Sequence, residues 1–83
     1  MNRETTYEYT VIFEPAEEGG YVVHVPALPG CVTQGDTLEE ARAMAKDAIL
    51  CYLESLAEDG EEIPVEPPNM LQEKVCVSLP SLV

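Results

Sequence analysis

Basic residues are scarce in this sequence, and tryptophan is absent. Four Lys and Arg residues stand against 16 Asp and Glu, which gives a formal net charge of -12. Binding to a phosphate backbone needs clustered Lys and Arg side chains, and the four bases here are scattered along the chain. Direct binding to nucleic acid is therefore not expected. The acidic surface instead favours a basic partner.

Long apolar runs are also missing. The longest uninterrupted run, 48–53, is far shorter than the roughly 18 residues that suggest a membrane span. The start of the chain, Met1 to Thr6, has no apolar core and so predicts no signal peptide. We therefore expect a cytoplasmic protein that does not associate with a membrane.

Cysteine and histidine are too few to indicate a disulfide framework, a zinc site or a catalytic site. Cys31, Cys51 and Cys76 have neither the number nor the spacing of a disulfide framework or a zinc site, and we interpret them as small buried hydrophobic residues. A lone histidine on a strand, His24, is more typical of structure than of a general base. No catalytic residue, metal site or cofactor is predicted. A degenerate metal-dependent ribonuclease using some of the many carboxylates is kept as an alternative.

The hydrophobic pattern predicts one α+β domain. Alternation of apolar and polar residues predicts four strands, over 7–14, 21–25, 31–34 and 73–79. Apolar residues spaced by three and four predict one helix between the third and fourth strands. The order β-β-β-α-β predicts two layers, a mostly antiparallel sheet in the order 3-2-1-4 covered by the helix. We expect a single domain over 1–83, with its core at about 7–60 and an extended proline-rich segment at 61–70.

The loop after the second strand is strongly specified. Two prolines flank an apolar pair there, and a glycine follows, so the chain cannot continue as a central strand. We predict an ordered loop in which Pro26, Pro29 and Gly30 fix the turn and Leu28 points into the core.

The beginning of the helix is specified equally well. Gly35 closes the third strand, and Thr37 and Glu40 have the spacing of a capping box. Asp36 adds negative charge where the helix dipole is positive. We interpret these residues as structural.

A single helix covers only one face of the predicted sheet. Ile12, Val22 and Val32 would lie on the other face, and the edge strands would be unprotected. Because association would cover both, we expect a homodimer or tetramer.

One long segment, Gly20 to Ala41, resembles the HicB-like antitoxin family. It contains the family's P-x-L-P-G-C pattern at Pro26 to Cys31 and its G-D-T-x-x-E-A pattern at Gly35 to Ala41. The resemblance implies a partial ribonuclease H-like fold. Longer members of the family often carry a C-terminal DNA-binding domain, and we expect this chain to be a short form without one. The resemblance also implies that the protein is a non-enzymatic antitoxin. Its expected partner is HicA, a small basic toxin that cleaves mRNA and whose active surface the antitoxin covers.

The residues expected to contact that partner lie on the first hairpin and the open face of the sheet. They are Glu14, Glu17, Glu18 and His24. An alternative is an orphan dimeric interaction module that has no toxin partner. The sequence alone leaves both possibilities open.

Overall fold

The structure is a computed structural model that describes residues 5–81. Its elements follow in the order β1 (Ile12–Pro15), β2 (Tyr21–His24), β3 (Val32–Gly35) and α1 (Leu38–Glu58). The strands form one antiparallel sheet in the order β1-β2-β3. The predicted α+β class, with an antiparallel sheet covered by one helix, is confirmed.

The two hairpins fix the register of the sheet. Ile12 lies opposite His24, and His24 lies opposite Val32. The first hairpin turns through Gly19 and Gly20, whose φ angles of 100° and 76° suit glycine. Because side chains alternate along a strand, this register places odd-numbered residues of β1 and β2 towards the helix and even-numbered ones away from it.

Helix α1 has defined caps at both ends. The Thr37 hydroxyl accepts the Glu40 N–H at 3.0 Å, and the Glu40 carboxylate accepts the Asp36 N–H at 3.1 Å. At the other end the Glu61 N–H donates to Leu56 O at 2.9 Å, while Gly60 adopts a φ of 69°. These contacts satisfy end groups that have no partner within the helix.

The core lies between the sheet and the helix in two clusters. In the first, Val23 packs with Ala41 and Ala45. In the second, the loop residue Leu28, which is fully buried, packs with Val25 and Cys31. The small alanine side chains let the helix lie close to the sheet.

Two glycines lie where the neighbouring backbone leaves no room for a Cβ atom. A Cβ at Gly20 would lie 2.6 Å from Gly35 O, and one at Gly35 would lie 2.5 Å from Ala41 N. The first hairpin, the end of β3 and the first turn of α1 therefore meet at one end of the sheet.

The strands differ from the sequence prediction in their extent. The first is shorter than 7–14, because β2 ends at His24 and the chain turns away at Pro26, so residues before Ile12 have no strand opposite them. The third is shifted by one residue, and Gly35 pairs with Tyr21.

The fourth strand is not formed within the described chain, so the predicted order 3-2-1-4 is replaced by a three-stranded sheet. Residues 73–79 are exposed, with Val75, Val77 and Leu79 exposed by 79%, 83% and 91%. The burial predicted for two cysteines is also wrong. Cys76 lies in this exposed segment, and Cys51 lies on the outer side of α1.

The predicted single domain over 1–83 stays a prediction, and residues 1–4 and 82–83, including most of the start that was analysed for a signal peptide, lie outside the described range. Over the described range, α1 does not have the length and apolar character of a membrane-crossing helix.

Candidate protein-binding face

Within residues 5–81 the sheet has a helix on one surface and no second layer on the other, and we call that other surface the open face. Its side chains form two rows across the three strands, set by the register. The rows are Ile12, His24 and Val32, followed by Glu14, Val22 and Gln34. Val32 is 56% exposed, and Ile12 and Val22 are half-buried. The open face therefore combines apolar side chains with a carboxylate and an imidazole.

His24 and Glu14 meet on this face. His24 Nε2 lies 3.2 Å from Glu14 Oε1, across the diagonal of the β1–β2 ladder. The two side chains are 42% and 67% exposed. Because both side chains are exposed, both are accessible to a partner. An exposed pair of this kind contributes little to folding.

The other two predicted contact residues, Glu17 and Glu18, lie in the hairpin loop between β1 and β2. Both are exposed, and the loop is closed by the Ala16 N–H donating to Gly20 O at 3.0 Å. Because the hairpin meets the start of α1 through Gly20, these acids share one end of the molecule with the helix cap.

The predicted motif residues are divided between the two ends of the sheet. Gly35, Asp36, Thr37 and Glu40 lie at the hairpin end, where the helix begins. The Pro26–Gly30 loop lies at the opposite end, and there Pro29 O accepts a hydrogen bond from the Tyr52 hydroxyl at 2.8 Å. This loop is also closed on itself, since the Cys31 N–H donates to Leu28 O at 2.9 Å.

The proline-rich segment after the helix is anchored at this second end. The Tyr9 hydroxyl donates to Pro64 O at 2.6 Å, and the Glu66 carboxylate accepts the Thr10 N–H at 2.7 Å. That backbone hydrogen bond, followed by one from the Thr10 hydroxyl, lowers the pKa of Glu66. Burial, with smaller contributions from Tyr7 and Glu66, raises the pKa of Tyr9, whose ring stacks on Tyr7 at a centroid distance of 6.4 Å.

Other titratable groups show no convergence of metal ligands. Among residues 5–81, no group of three or more His, Cys, Asp and Glu side chains could hold a metal ion. Burial raises the pKa of the Cys31 thiol, which keeps this side chain in its protonated form within the core.

Comparison with known proteins identifies the family. The sequence profile described as "HicB_like antitoxin of bacterial toxin-antitoxin system" matches residues 9–78. This chain belongs to the HicB-like antitoxin family. The match spans the whole sheet, helix α1 and all but the last residue of the exposed segment at 73–79.

Individual relatives agree with this assignment. A UPF0150 protein of Thermoplasma acidophilum is 56% identical over 57 residues, which cover 69% of this chain and 83% of the relative. Antitoxin HicB 1 of Photorhabdus laumondii is 52% identical over 60 residues, covering 72% of this chain but 39% of the relative. Antitoxin HicB of Escherichia coli K12 is 45% identical over 60 residues, covering 72% of this chain and 44% of the relative. This HicB-like chain therefore matches less than half the length of the two relatives named antitoxins.

Sequence reasoning missed the anchoring of the segment after the helix. Glu66 lies among prolines and acids with no local pattern that relates it to Thr10. The sequence also did not predict the groove beside β1, because its lining residues come from two elements, the first strand and the helix, whose contact has no local signal.

Proposed function

We propose that this HicB-like chain is an antitoxin that binds a small basic HicA-type toxin and covers the surface with which that toxin binds and cleaves mRNA. The family assignment supports the antitoxin role. The net charge of -12 supports a basic protein as the partner, because complementary charge speeds the encounter of the two proteins. Repulsion between like charges disfavours the binding of acidic proteins.

The observation that carries the proposal is the composition of the open face. It offers apolar side chains for burial, while Glu14 on the edge strand β1 and His24 on the central strand β2 provide exposed polar groups. Glu17 and Glu18 extend the negative charge at the hairpin end. An apolar patch bordered by charge is typical of a protein-binding surface.

In this proposal the chain acts by binding its partner and blocking the partner's active surface, and it performs no catalysis of its own. It binds no nucleic acid directly, since its few basic side chains cannot neutralise a run of phosphates. Its site of action is the cytoplasm, where the mRNA substrate of such a toxin is located.

The first observation is the neighbouring reading frame, which we expect to encode a short basic protein, and the experiment is co-expression of this chain with that protein. If the proposal holds, this chain relieves the growth arrest caused by that protein, and the two purify as one complex. Persistent growth arrest without a complex would contradict the proposal and favour an orphan interaction module. Turnover of RNA by the isolated chain in the presence of Mg²⁺ or Mn²⁺ would favour the ribonuclease alternative.

A charge reversal with a matched control locates the contact. Glu14→Lys and Asp47→Lys change the net charge equally, but Asp47 lies on the exposed side of α1, away from the open face. We expect Glu14→Lys to weaken binding at least tenfold and Asp47→Lys to change it less than threefold. Equal losses would show that only the total charge matters and that the open face is not the contact.

A further inference from the structure

A mostly apolar groove lies between helix α1 and a wall formed by β1 and the residues that precede it. Its volume is about 700 Å³. One wall is formed by Tyr7, Val11 and Phe13, and the other by residues of α1 that include Ile49 and Leu50. Leu50 is 51% exposed and Tyr7 38% exposed, so the groove is open in the single chain. We call it the β1 groove.

The β1 groove lies along the outer edge of β1, where no strand pairs with it among the residues that the structure describes. The Val25 N–H donates to Cys31 O, so the backbone groups of Val25, and by alternation those of Val23, face β3. His24 consequently exchanges its hydrogen bonds with Ile12. The backbone groups of Phe13 then point away from β2, towards the groove side. An edge of this kind is a template for a further strand.

The segment at 73–79, which we call the tail, has the properties of that missing strand. Val75, Val77 and Leu79 alternate with polar residues and are almost fully exposed. Their spacing of two places them on one face of a strand, and they span about 13 Å at the usual strand rise. Glu73 and Lys74 cancel in charge, so the tail is neutral although the chain is strongly acidic.

The tail does not enter the groove of its own chain. Its path is set just before it begins, where Glu66 is bonded to Thr10. Pro67 and Pro68 then stiffen the chain, and Asn69 turns it with a φ of 63°. The radius of gyration is 16.6 Å, against about 12 Å for a compact chain of this length. The tail thus projects from the domain, where a second molecule can bind it.

We propose that the tail of one copy pairs with the β1 edge of a second copy and buries its apolar face in that copy's β1 groove. The exchange is reciprocal, so it generates a dimer with twofold symmetry. Each sheet thereby gains a fourth strand from its partner. The open face stays uncovered, so this dimer contact and the proposed toxin contact use different surfaces.

The first test is the mass of the full chain in solution under reducing conditions. Light scattering after gel filtration at micromolar concentrations should give twice the 9.1 kDa chain mass. Val77→Asp in the tail and Leu50→Asp in the groove should each weaken the dimer at least tenfold. Ser78→Asp, which places the same charge on the polar face of the tail, is the control and should leave the dimer intact. Circular dichroism should show that each variant keeps its fold, since the replaced side chains are exposed.

Mixing the two disruptive variants separates exchange between copies from docking within one chain. The Leu50→Asp copy has an intact tail, and the Val77→Asp copy has an intact groove. If tails are exchanged, the mixture forms a dimer that retains one intact tail–groove contact, and it is more stable than either variant alone. A monomeric wild type, a dimer that resists both substitutions, or a mixture no more associated than its components would each overturn the proposal. Because no toxin is present, these results do not depend on the proposed antitoxin activity.

Discussion

The carboxylate of Glu66 accepts two hydrogen bonds from Thr10, one from its backbone N–H and one from its hydroxyl, each 2.7 Å long. Thr10 lies two residues before Ile12, the first paired residue of β1, and has no strand opposite it. The carboxylate therefore satisfies a donor that the sheet leaves unpaired. It also ties the segment after the helix to the beginning of the sheet, and so determines where the tail leaves the domain.

Removing this carboxylate should release the segment. In Glu66→Ala the Thr10 N–H loses its acceptor, so we expect its amide hydrogen to exchange at least tenfold faster. Glu62→Ala is the control, because Glu62 is exposed in the same segment. Hydrogen exchange followed by nuclear magnetic resonance measures both variants. Unchanged protection of Thr10 in Glu66→Ala would show that the contact does not persist in solution.

The same contact should contribute a pH dependence to stability. The hydrogen bond from the Thr10 backbone is the main cause that lowers the folded-state pKa of Glu66. A lowered folded pKa means that the contribution is fully present above the unfolded pKa, about 4.3, and is lost as the pH falls through the folded value. We expect the difference in urea midpoint between wild type and Glu66→Ala to shrink on acidification from about pH 5 to pH 3. A constant difference would contradict the assignment.

Gly35 should tolerate no side chain. A Cβ there would lie 2.5 Å from Ala41 N and 2.6 Å from its Cα, and backbone atoms of a helix cannot move aside as a side chain can. We expect Gly35→Ala to lower the free energy of unfolding by about 3 kcal/mol, the upper part of the range for overpacking. Gly60→Ala, with a φ of 69° but open space around it, should cost only about 1 kcal/mol. Urea denaturation compares the two, and equal losses would exclude the steric explanation.

The helix cap is testable in the same way. Thr37→Ala removes the acceptor for the Glu40 N–H, and we expect a loss of about 1 kcal/mol in the free energy of unfolding. Thr37→Ser keeps the hydroxyl and should retain most of the stability. A similar loss in both variants would assign the effect to the threonine methyl group instead of the hydrogen bond.

Local sequence signals predicted the parts of the fold that local chemistry determines. Thr37 and Glu40 are three residues apart, and the glycine pair after Pro15 lies within a single turn, so each pattern contains its whole structural cause. The placement of Ile12 and Val32 on the open face followed from the same alternation that defined the strands. This is why the open face could be described before the structure was known.

Contacts between distant segments could not be predicted in this way. Nothing around Thr10 or Glu66 indicates that they meet, because both residues are common and neither lies in a recognisable pattern. The alternation of Val75 and Val77 predicts one apolar face, but a period of two does not state which strand, or which molecule, lies beside it. The position of the predicted fourth strand was therefore the least determined part of the sheet.

Leu28 provides a test of whether the Pro26–Gly30 loop serves the core or the partner. Its side chain is fully buried and packs with Val25 and Cys31. Truncation in Leu28→Ala should lower the free energy of unfolding by about 3–5 kcal/mol. Leu71→Ala is the control, because the Leu71 side chain is 80% exposed, and it should change the free energy of unfolding by less than about 0.5 kcal/mol.

Leu28→Met separates packing from partner contact. It nearly conserves the side-chain volume and should lower the free energy of unfolding by less than about 1.5 kcal/mol. Because the buried side chain cannot touch a toxin, Leu28→Met should bind the toxin as tightly as wild type. Lost binding in a stable Leu28→Met variant would instead make this loop part of the contact surface.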